Sequence, residues 1–138
     1  MPGGGATTHR QLLRDYLDAY NRGELAEIDR YVTAGYVHHN NDASLSLDGF
    51  KAGATWLRRA MPDFRIEMAD SVEEGDRLAV RWLGRGTHAS SMFGEPVTER
   101  QLVLYGTTIF RFEDGRIAED WEAMDEAELR RQAGALAD

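Results

Sequence analysis

The sequence predicts an α+β domain in which helices pack on a curved, mostly antiparallel sheet and enclose a pocket. Between residues 7 and 61, apolar side chains recur at the spacing of helices. From Phe64 onward the period changes to two, which indicates strands. Tight turns at Glu74-Gly75-Asp76 and Asp114-Gly115 join those strands into a meander. Helices followed by strands are typical of α+β folds, and a curved sheet beneath helices leaves a cone-shaped cavity.

Three helices are predicted before the sheet. The first begins at Thr7 or Thr8, either of which can cap it, and ends at Gly23, which suits a left-handed cap. Its apolar face consists of Leu13, Tyr16, Leu17 and Tyr20. A short second helix covers residues 24–31. The third runs from Leu47 to Met61 on an apolar stripe, and Pro62 stops it.

Strands account for most of the remaining chain. A brief extended segment at 36–40 lies between the second and third helices. Four strands follow the third helix, and they begin near residues 64, 78, 97 and 116. We expect Gly84, Gly86 and Gly94 to interrupt the chain before the long strand at 97–112. A last short helix covers residues 126–132.

The composition is that of an ordinary globular protein and excludes several classes of function. The 138 residues form one domain, predicted at 7–138 after a flexible tail at 1–6. The chain has no cysteine, which excludes disulfides, iron–sulfur clusters, thiolate zinc sites and a cysteine nucleophile. A net charge of −8 disfavours binding to nucleic acid or an anionic membrane. No targeting or spanning segment is visible, so we expect a cytoplasmic location.

Two carboxylates on the predicted last strand are the main catalytic candidates. Asp120 and Glu122 are two residues apart and therefore share one face of the strand. Two acids in one pocket raise the pKa of one of them, which gives a neutral acid beside an ionised base. The alternative is a solvated strand face. Periodicity leaves the choice open, because the opposite face holds Ile117 and Trp121.

Polar candidates elsewhere are more ambiguous. His38 and His39 are adjacent in an extended segment and point to opposite faces, so they cannot chelate one metal together, and we expect no metal site. We place His88 at a strand end near the cavity mouth, with an exposed loop position as the alternative. Arg81 either orients a buried carboxylate or is one more surface arginine.

Aromatic residues are numerous where a cavity wall is expected. Some of them must belong to the core, and Trp56 lies off the stripe of the third helix, which makes it the better ligand candidate. Met92-Phe93-Gly94 could form a flap over the opening. The candidates for the wall are Tyr16, Tyr20, Trp56, Phe64, Trp82, Phe93 and Phe110.

Six stretches of the chain carry a family likeness, and their order and spacing span nearly the whole domain. They are Tyr36–Asn40, Gly49–Gly53, Met61–Phe64, Glu74–Trp82, Gly86–His88 and Ile109–Glu122. Over these stretches the chain resembles the SnoaL-like polyketide cyclases, a branch of the nuclear-transport-factor-2-like superfamily.

The resemblance implies a barrel-like α+β cone that forms a homodimer and uses neither a metal nor an organic cofactor. It implies that Glu122 is the general acid/base, with the even-numbered residues of the last strand in the cavity and Trp121 on the outer, convex face. His39 aligns with a pocket-lining histidine of the family. Thr108 stands where the family often has a histidine, and a hydroxyl can hydrogen-bond an enolate but cannot titrate near neutral pH.

These observations favour a cofactor-independent enzyme acting on a small, largely apolar carbonyl compound. Glu122 would be the base and Asp120 its partner, while His39, Asn40 and Thr108 would hydrogen-bond the substrate oxygen. Two alternatives stay open. One is epoxide opening or hydrolysis by a carboxylate–arginine–carboxylate chain, and the other is a non-catalytic, dimeric module that binds a small molecule.

Overall fold

A computed structural model describes residues 7–41 and 43–135. The predicted tail at 1–6 lies outside these residues. The elements in chain order are α1 (His9–Asn21), a 3₁₀ helix (Leu25–Arg30), β1 (Val32–Asn40), β2 (Ala43–Leu45), α2 (Leu47–Ala60), β3 (Arg65–Glu74), β4 (Arg77–Thr87), β5 (Gln101–Glu113), β6 (Arg116–Met124) and α3 (Glu126–Ala133). None of the helices in the described part of the chain is long and apolar enough to cross a membrane.

Each α-helix begins at a side chain that caps its first turn. The Thr8 hydroxyl accepts a hydrogen bond from the Gln11 amide at 3.1 Å, and the Ser46 hydroxyl accepts one from Gly49 at 3.3 Å. The Asp125 carboxylate caps α3 in the same way. The second predicted helix is present as a 3₁₀ helix of six residues, and Ile28 is its buried side chain.

The sheet has six strands in the order β2-β1-β6-β5-β4-β3 and is curved but not closed. All neighbours are antiparallel except β1 and β6, which run parallel. The predicted four-strand meander is therefore part of a larger sheet. The segment predicted as brief at 36–40 is a nine-residue strand beside β6, because its partner comes from the far end of the sequence, which a local pattern cannot show.

Two predicted interruptions are wrong for one physical reason. Gly84 and Gly86 lie inside β4 rather than breaking it. A Cβ atom at Gly84 would come within 2.4 Å of the Phe64 ring, and one at Gly86 within 2.7 Å of the Met61 side chain. The glycines thus make room for two large side chains that are fully buried, and each of these contributes about 1.5–3 kcal/mol through burial. The long strand begins at Gln101 rather than 97, so residues 88–100 form a loop.

A β-bulge in β6 decides which residues face the helices. The register of β5 and β6 pairs Arg111 with Glu119 but Phe112 with Ile117, so Ala118 is one residue extra on β6. Because of this insertion, Ile117 and Asp120 lie on the same inner face although their numbers differ by three. The core residue Ile117 and the carboxylate of Asp120 can therefore both face the helices, although strict alternation would put them on opposite faces of the strand.

The described core lies between α1, α2 and the inner face of the sheet. Its fully buried members include Leu13, Ile28, Phe64, Leu78 and Ile117. The core includes residues from every helix, α3 among them through Leu129. Burial on this one face of the sheet leaves the other, outer face without a covering layer in the described chain.

Candidate active site

The inner face of the sheet and the helices enclose a cavity of two adjoining chambers. The inner chamber has a volume of about 60 Å³ and the outer one about 180 Å³. Both touch Tyr20, His38, Phe50, Ile66, Trp82 and Glu122. Most of the wall of both chambers is apolar or aromatic.

Asp120 lines the inner chamber and is hydrogen-bonded to two other side chains. Asp120 is 2% exposed, and Oδ2 of its carboxylate accepts a hydrogen bond of 2.6 Å from the Tyr36 hydroxyl. The other oxygen, Oδ1, lies 2.5 Å from Nδ1 of His38. The parallel pairing of β1 with β6 puts His38 directly beside Asp120 and thereby builds this trio. Both oxygens of the buried acid are thus engaged by protein groups.

Glu122 is the second acid, and its environment differs. It lines both chambers, and no described residue forms a hydrogen bond with its carboxyl group. Burial raises the pKa of Glu122 above its ordinary value, the positive charge of His38 lowers it, and the negative charge of Asp120 raises it further. The net effect is a raised pKa, which brings this carboxyl closer to the range in which it can exchange protons with a substrate.

The aromatic wall is held in place by a few polar contacts. Nε1 of Trp82 donates a hydrogen bond of 2.9 Å to the Thr108 hydroxyl, which is buried and lines the inner chamber. Burial raises the pKa of Tyr16, Tyr20 and Tyr36, so their hydroxyls stay protonated. The structure brings Tyr16 and Phe110 to the inner chamber, Phe64 and Asn40 to the outer one, and Tyr20 to both.

Trp56 and Phe93 meet at the rim. Trp56 lines the outer chamber and remains 43% exposed. Its ring meets Phe93 of the 88–100 loop edge-to-face, with centroids 5.8 Å apart. The guanidinium of Arg130 lies 4.0 Å above the Phe93 ring, which ties the loop to α3. Phe93 is thus in contact with the chamber wall but does not line the chamber itself.

The structure corrects the position of two predicted site histidines. His39 does not line the cavity: it lies on the outer face, stacked on Trp121 at 5.4 Å and hydrogen-bonded to Glu119 at 2.5 Å. It faces outward because its neighbour His38 takes the inward position. His88 is fully buried but also lies outside both chambers, since its ring is occupied by Glu95 and Thr98 at 2.6 and 2.8 Å.

Two further polar candidates lie away from the cavity. Arg81 is exposed and forms a bidentate pair with Asp70, with its nitrogens 3.0 and 3.2 Å from the two oxygens. Among residues 7–41 and 43–135, no cluster of three or more histidine and carboxylate side chains has the arrangement that would hold a metal ion.

Three site residues were missed by the sequence reasoning: Tyr36, His38 and Phe50. The first two share a face with Asn40 by simple alternation, and that signal was present in the sequence. The long-range pairing of β1 with β6 was the missing observation. Phe50 packs against the core from α2 and also meets the His38 ring edge-to-face at 5.0 Å.

Comparison with known proteins agrees with this architecture. The family model described as SnoaL-like polyketide cyclase matches residues 10–133. No curated protein sequence matches the chain.

Several solved structures share the fold over more than nine-tenths of this chain. AclR of Streptomyces galilaeus, a candidate hydroxylase, has a TM-score of 0.85 and 26% identity, covering 94% of this chain and 86% of its own. TsrD of Streptomyces laurentii has a TM-score of 0.80 and 31% identity, with 92% and 95% covered. IdmH of Streptomyces antibioticus, a candidate polyketide cyclase, has a TM-score of 0.82 and 26% identity, with 91% and 97% covered.

The family match spans both the residues that shape the cavity and the strand that carries the two carboxylates. The predicted cone and the predicted family are confirmed together. The chain belongs to the SnoaL-like polyketide cyclase family.

Proposed function

We propose that the protein is an enzyme that transfers protons on a small, largely apolar carbonyl compound without a cofactor, the chemistry of a polyketide cyclase or isomerase. The observation that carries this proposal is the state of Glu122. Its carboxyl group faces the cavity, accepts no hydrogen bond from the described residues, and has a raised pKa. A carboxylate on a solvent-exposed strand face would not show these three properties together.

In this proposal Glu122 removes a proton from the carbon next to the substrate carbonyl. The Thr108 hydroxyl already accepts a hydrogen bond from Trp82, so its own O–H is free to donate to a substrate oxygen. Positioned proton transfer of this kind contributes roughly 10²–10⁴-fold to a rate. The enolate formed can attack a second carbonyl in the same molecule, and Glu122 then returns the proton to the new alkoxide.

The lining of the cavity limits the substrate class. Neither chamber is lined by a lysine or arginine among the described residues, whereas Asp120 and Glu122 both face the interior. An anionic substrate would meet two carboxylates with only one histidine to balance them. A neutral, mostly apolar carbonyl compound fits the aromatic wall and the modest volume better.

The alternatives have less support. Epoxide opening by a carboxylate–arginine–carboxylate chain needs an arginine in the cavity, and Arg81 points outward to Asp70. A pure binding module would need no unpaired carboxyl in an apolar chamber, because burying such a group costs free energy. The similarity to IdmH supports the cyclase assignment, while AclR shows that a candidate hydroxylase shares the fold.

We also propose a second copy of the chain as a partner. A row of side chains crosses five strands on the outer face in paired register: Val72, Ala79, Ile109, Trp121 and His39. Val72 and Ile109 in this row are 73% and 42% exposed, and Tyr105 nearby is 56% exposed. Large exposed apolar side chains on one face are typical of an interaction surface.

The test of the enzyme proposal is α-proton exchange into D₂O, followed by NMR with 2-tetralone and phenylacetone as probes. We expect the wild type to accelerate exchange and Glu122→Gln to abolish the acceleration with its thermal unfolding unchanged. Glu119→Gln is the matched control, since Glu119 is on the same strand but faces outward. Full exchange activity in Glu122→Gln, or no acceleration of either probe by the wild type, would contradict the proposal.

A further inference from the structure

One basic side chain alone faces the cavity in the described part of the chain. The residues that line the two chambers include His38 but no arginine or lysine. A reaction that develops negative charge on a carbonyl oxygen needs a donor or a cation aimed at that oxygen. Thr108 also lines the inner chamber, but its hydroxyl cannot become positively charged.

The hydrogen bonds of His38 determine how its ring is presented. Oδ1 of Asp120 is a carboxylate acceptor, so Nδ1 of His38 carries the proton of the 2.5 Å hydrogen bond between them. The Tyr36 hydroxyl donates a hydrogen bond to the other oxygen of Asp120, which fixes the orientation of the carboxylate. No described residue bonds to Nε2, while the ring lines both chambers. Nε2 is therefore the ring nitrogen available to a ligand.

We propose that His38 is a second catalytic residue, which donates a proton from Nε2 to the substrate carbonyl oxygen while Glu122 removes the α-proton, with Asp120 and Tyr36 as positioning residues. This inference rests on the proposed function and adds the acid to its base.

The proposed step balances without any further reactant. The α C–H bond breaks, its proton goes to the Glu122 carboxylate, and its electron pair forms the C=C bond of an enol. The carbonyl oxygen takes the proton from Nε2, which leaves a neutral imidazole. When the enol carbon attacks the second carbonyl, the enol O–H returns its proton to Nε2 and Glu122 protonates the new alkoxide. Both residues end in their starting states.

The surroundings of His38 favour its cationic form. Burial lowers the pKa of His38, but the hydrogen bond to Asp120 and the charges of Asp120 and Glu122 outweigh this and raise the pKa above its ordinary value. The other titratable groups nearby are Tyr36 on the same strand, which is hydrogen-bonded to Asp120, Tyr16 and Tyr20 on α1, and Glu126 at the outer chamber. α2 presents the apolar Phe50 ring.

The experiment is the pH profile of α-proton exchange with 2-tetralone. In the wild type we expect a bell shape, with an acidic limb above pH 4.5 from Glu122 and a basic limb above pH 6.5 from His38, because both pKa values are raised. His38→Gln should lose roughly 10²–10⁴-fold in rate and the basic limb, while it keeps the acidic limb. Asp120→Asn should keep a basic limb but move it to lower pH.

The neighbouring imidazole provides the matched comparison. His39→Gln changes a histidine that the structure places on the outer face, and we expect it to keep the wild-type profile. Below the pKa of His38, long-range ¹H–¹⁵N spectra of the wild type should show the ring protonated at both Nδ1 and Nε2, with the Nε2 signal shifted by 2-tetralone. This readout does not depend on turnover and applies even if His38→Gln fails to fold.

The outcomes separate the two proposals. A wild-type basic limb in folded His38→Gln, or an Nε2 signal that 2-tetralone leaves unchanged, would overturn the role of His38 and leave Glu122 as the base. Loss of the basic limb in His39→Gln would overturn it as well. If Glu122→Gln retains exchange, the proposed function itself fails.

Discussion

At the scale of single residues, the cavity depends on where side chains are absent as much as on where they are present. Gly106 pairs with Trp82 across β4 and β5, and a Cβ atom there would lie 2.3 Å from the indole. The indole cannot withdraw easily, because Nε1 is hydrogen-bonded to Thr108. One glycine therefore allows an aromatic wall, a buried hydroxyl and a free volume to coexist.

This geometry predicts that Gly106→Ala destabilises the protein by about 1–3 kcal/mol, the usual cost of overpacking. The measurement is chemical denaturation. Gly35→Ala is the matched control, because it makes the same change in β1 at a position where a Cβ atom meets nothing within 4 Å. Equal stability of the two variants would show that the indole moves aside without cost.

At the scale of elements, the 88–100 loop is held together by hydrogen bonds between its own residues. The carboxylate of Glu95 accepts hydrogen bonds from the Met92 and Phe93 amides and from the Ser91 hydroxyl, and it contacts His88. Burial alone would raise the pKa of Glu95, but the amides of Phe93 and Met92 lower it to about 2. The predicted flap at 92–94 is thus a loop organised around a buried acid.

The lowered pKa predicts an acid-sensitive loop. The stabilisation from Glu95 is complete above its ordinary pKa of 4.5 and is lost as the pH falls towards 2. At neutral pH, Glu95→Gln should speed hydrogen exchange at the Met92 and Phe93 amides and lower stability by about 1–3 kcal/mol. Glu99→Gln, an exposed change in the same loop, should alter neither quantity. Unchanged amide exchange in Glu95→Gln would contradict this account of the loop.

At the scale of the whole molecule, the two faces of the sheet carry different sets of side chains. The inner face carries the cavity, and the outer face carries the exposed apolar row together with charge pairs such as Arg81–Asp70 and Arg111–Glu119. Trp121 joins these two sets, because it stacks on His39 while the guanidinium of Arg77 lies 5.0 Å above its ring.

The outer face predicts the oligomeric state. We expect sedimentation equilibrium to show a dimer and the double change Tyr105→Lys with Ile109→Lys to yield monomers, because two buried ammonium groups would oppose association. Val97→Lys is the control, since Val97 is 45% exposed but lies in the 88–100 loop. A double variant that still sediments as a dimer would place the interface elsewhere.

Local patterns predicted the helices and hairpins well, and they failed where distant strands meet. The stripe of α1 and the turn at Asp114-Gly115 are fixed by neighbours in sequence, and both are present. The identity of the inward histidine depends on β1 pairing with β6 some eighty residues later. Gly84 and Gly86 resemble strand breakers until Phe64 and Met61 are known to lie above them.

The extra residue at Ala118 has a consequence for the two faces of β6. It lets Ile117 face the same side of β6 as Asp120 and Glu122, although Ile117 is odd-numbered and the two acids are even-numbered. Deletion of Ala118 would make the pairs Phe112–Ile117 and Arg111–Glu119 consecutive in a regular ladder, so Asp120 and Glu122 would still face the cavity.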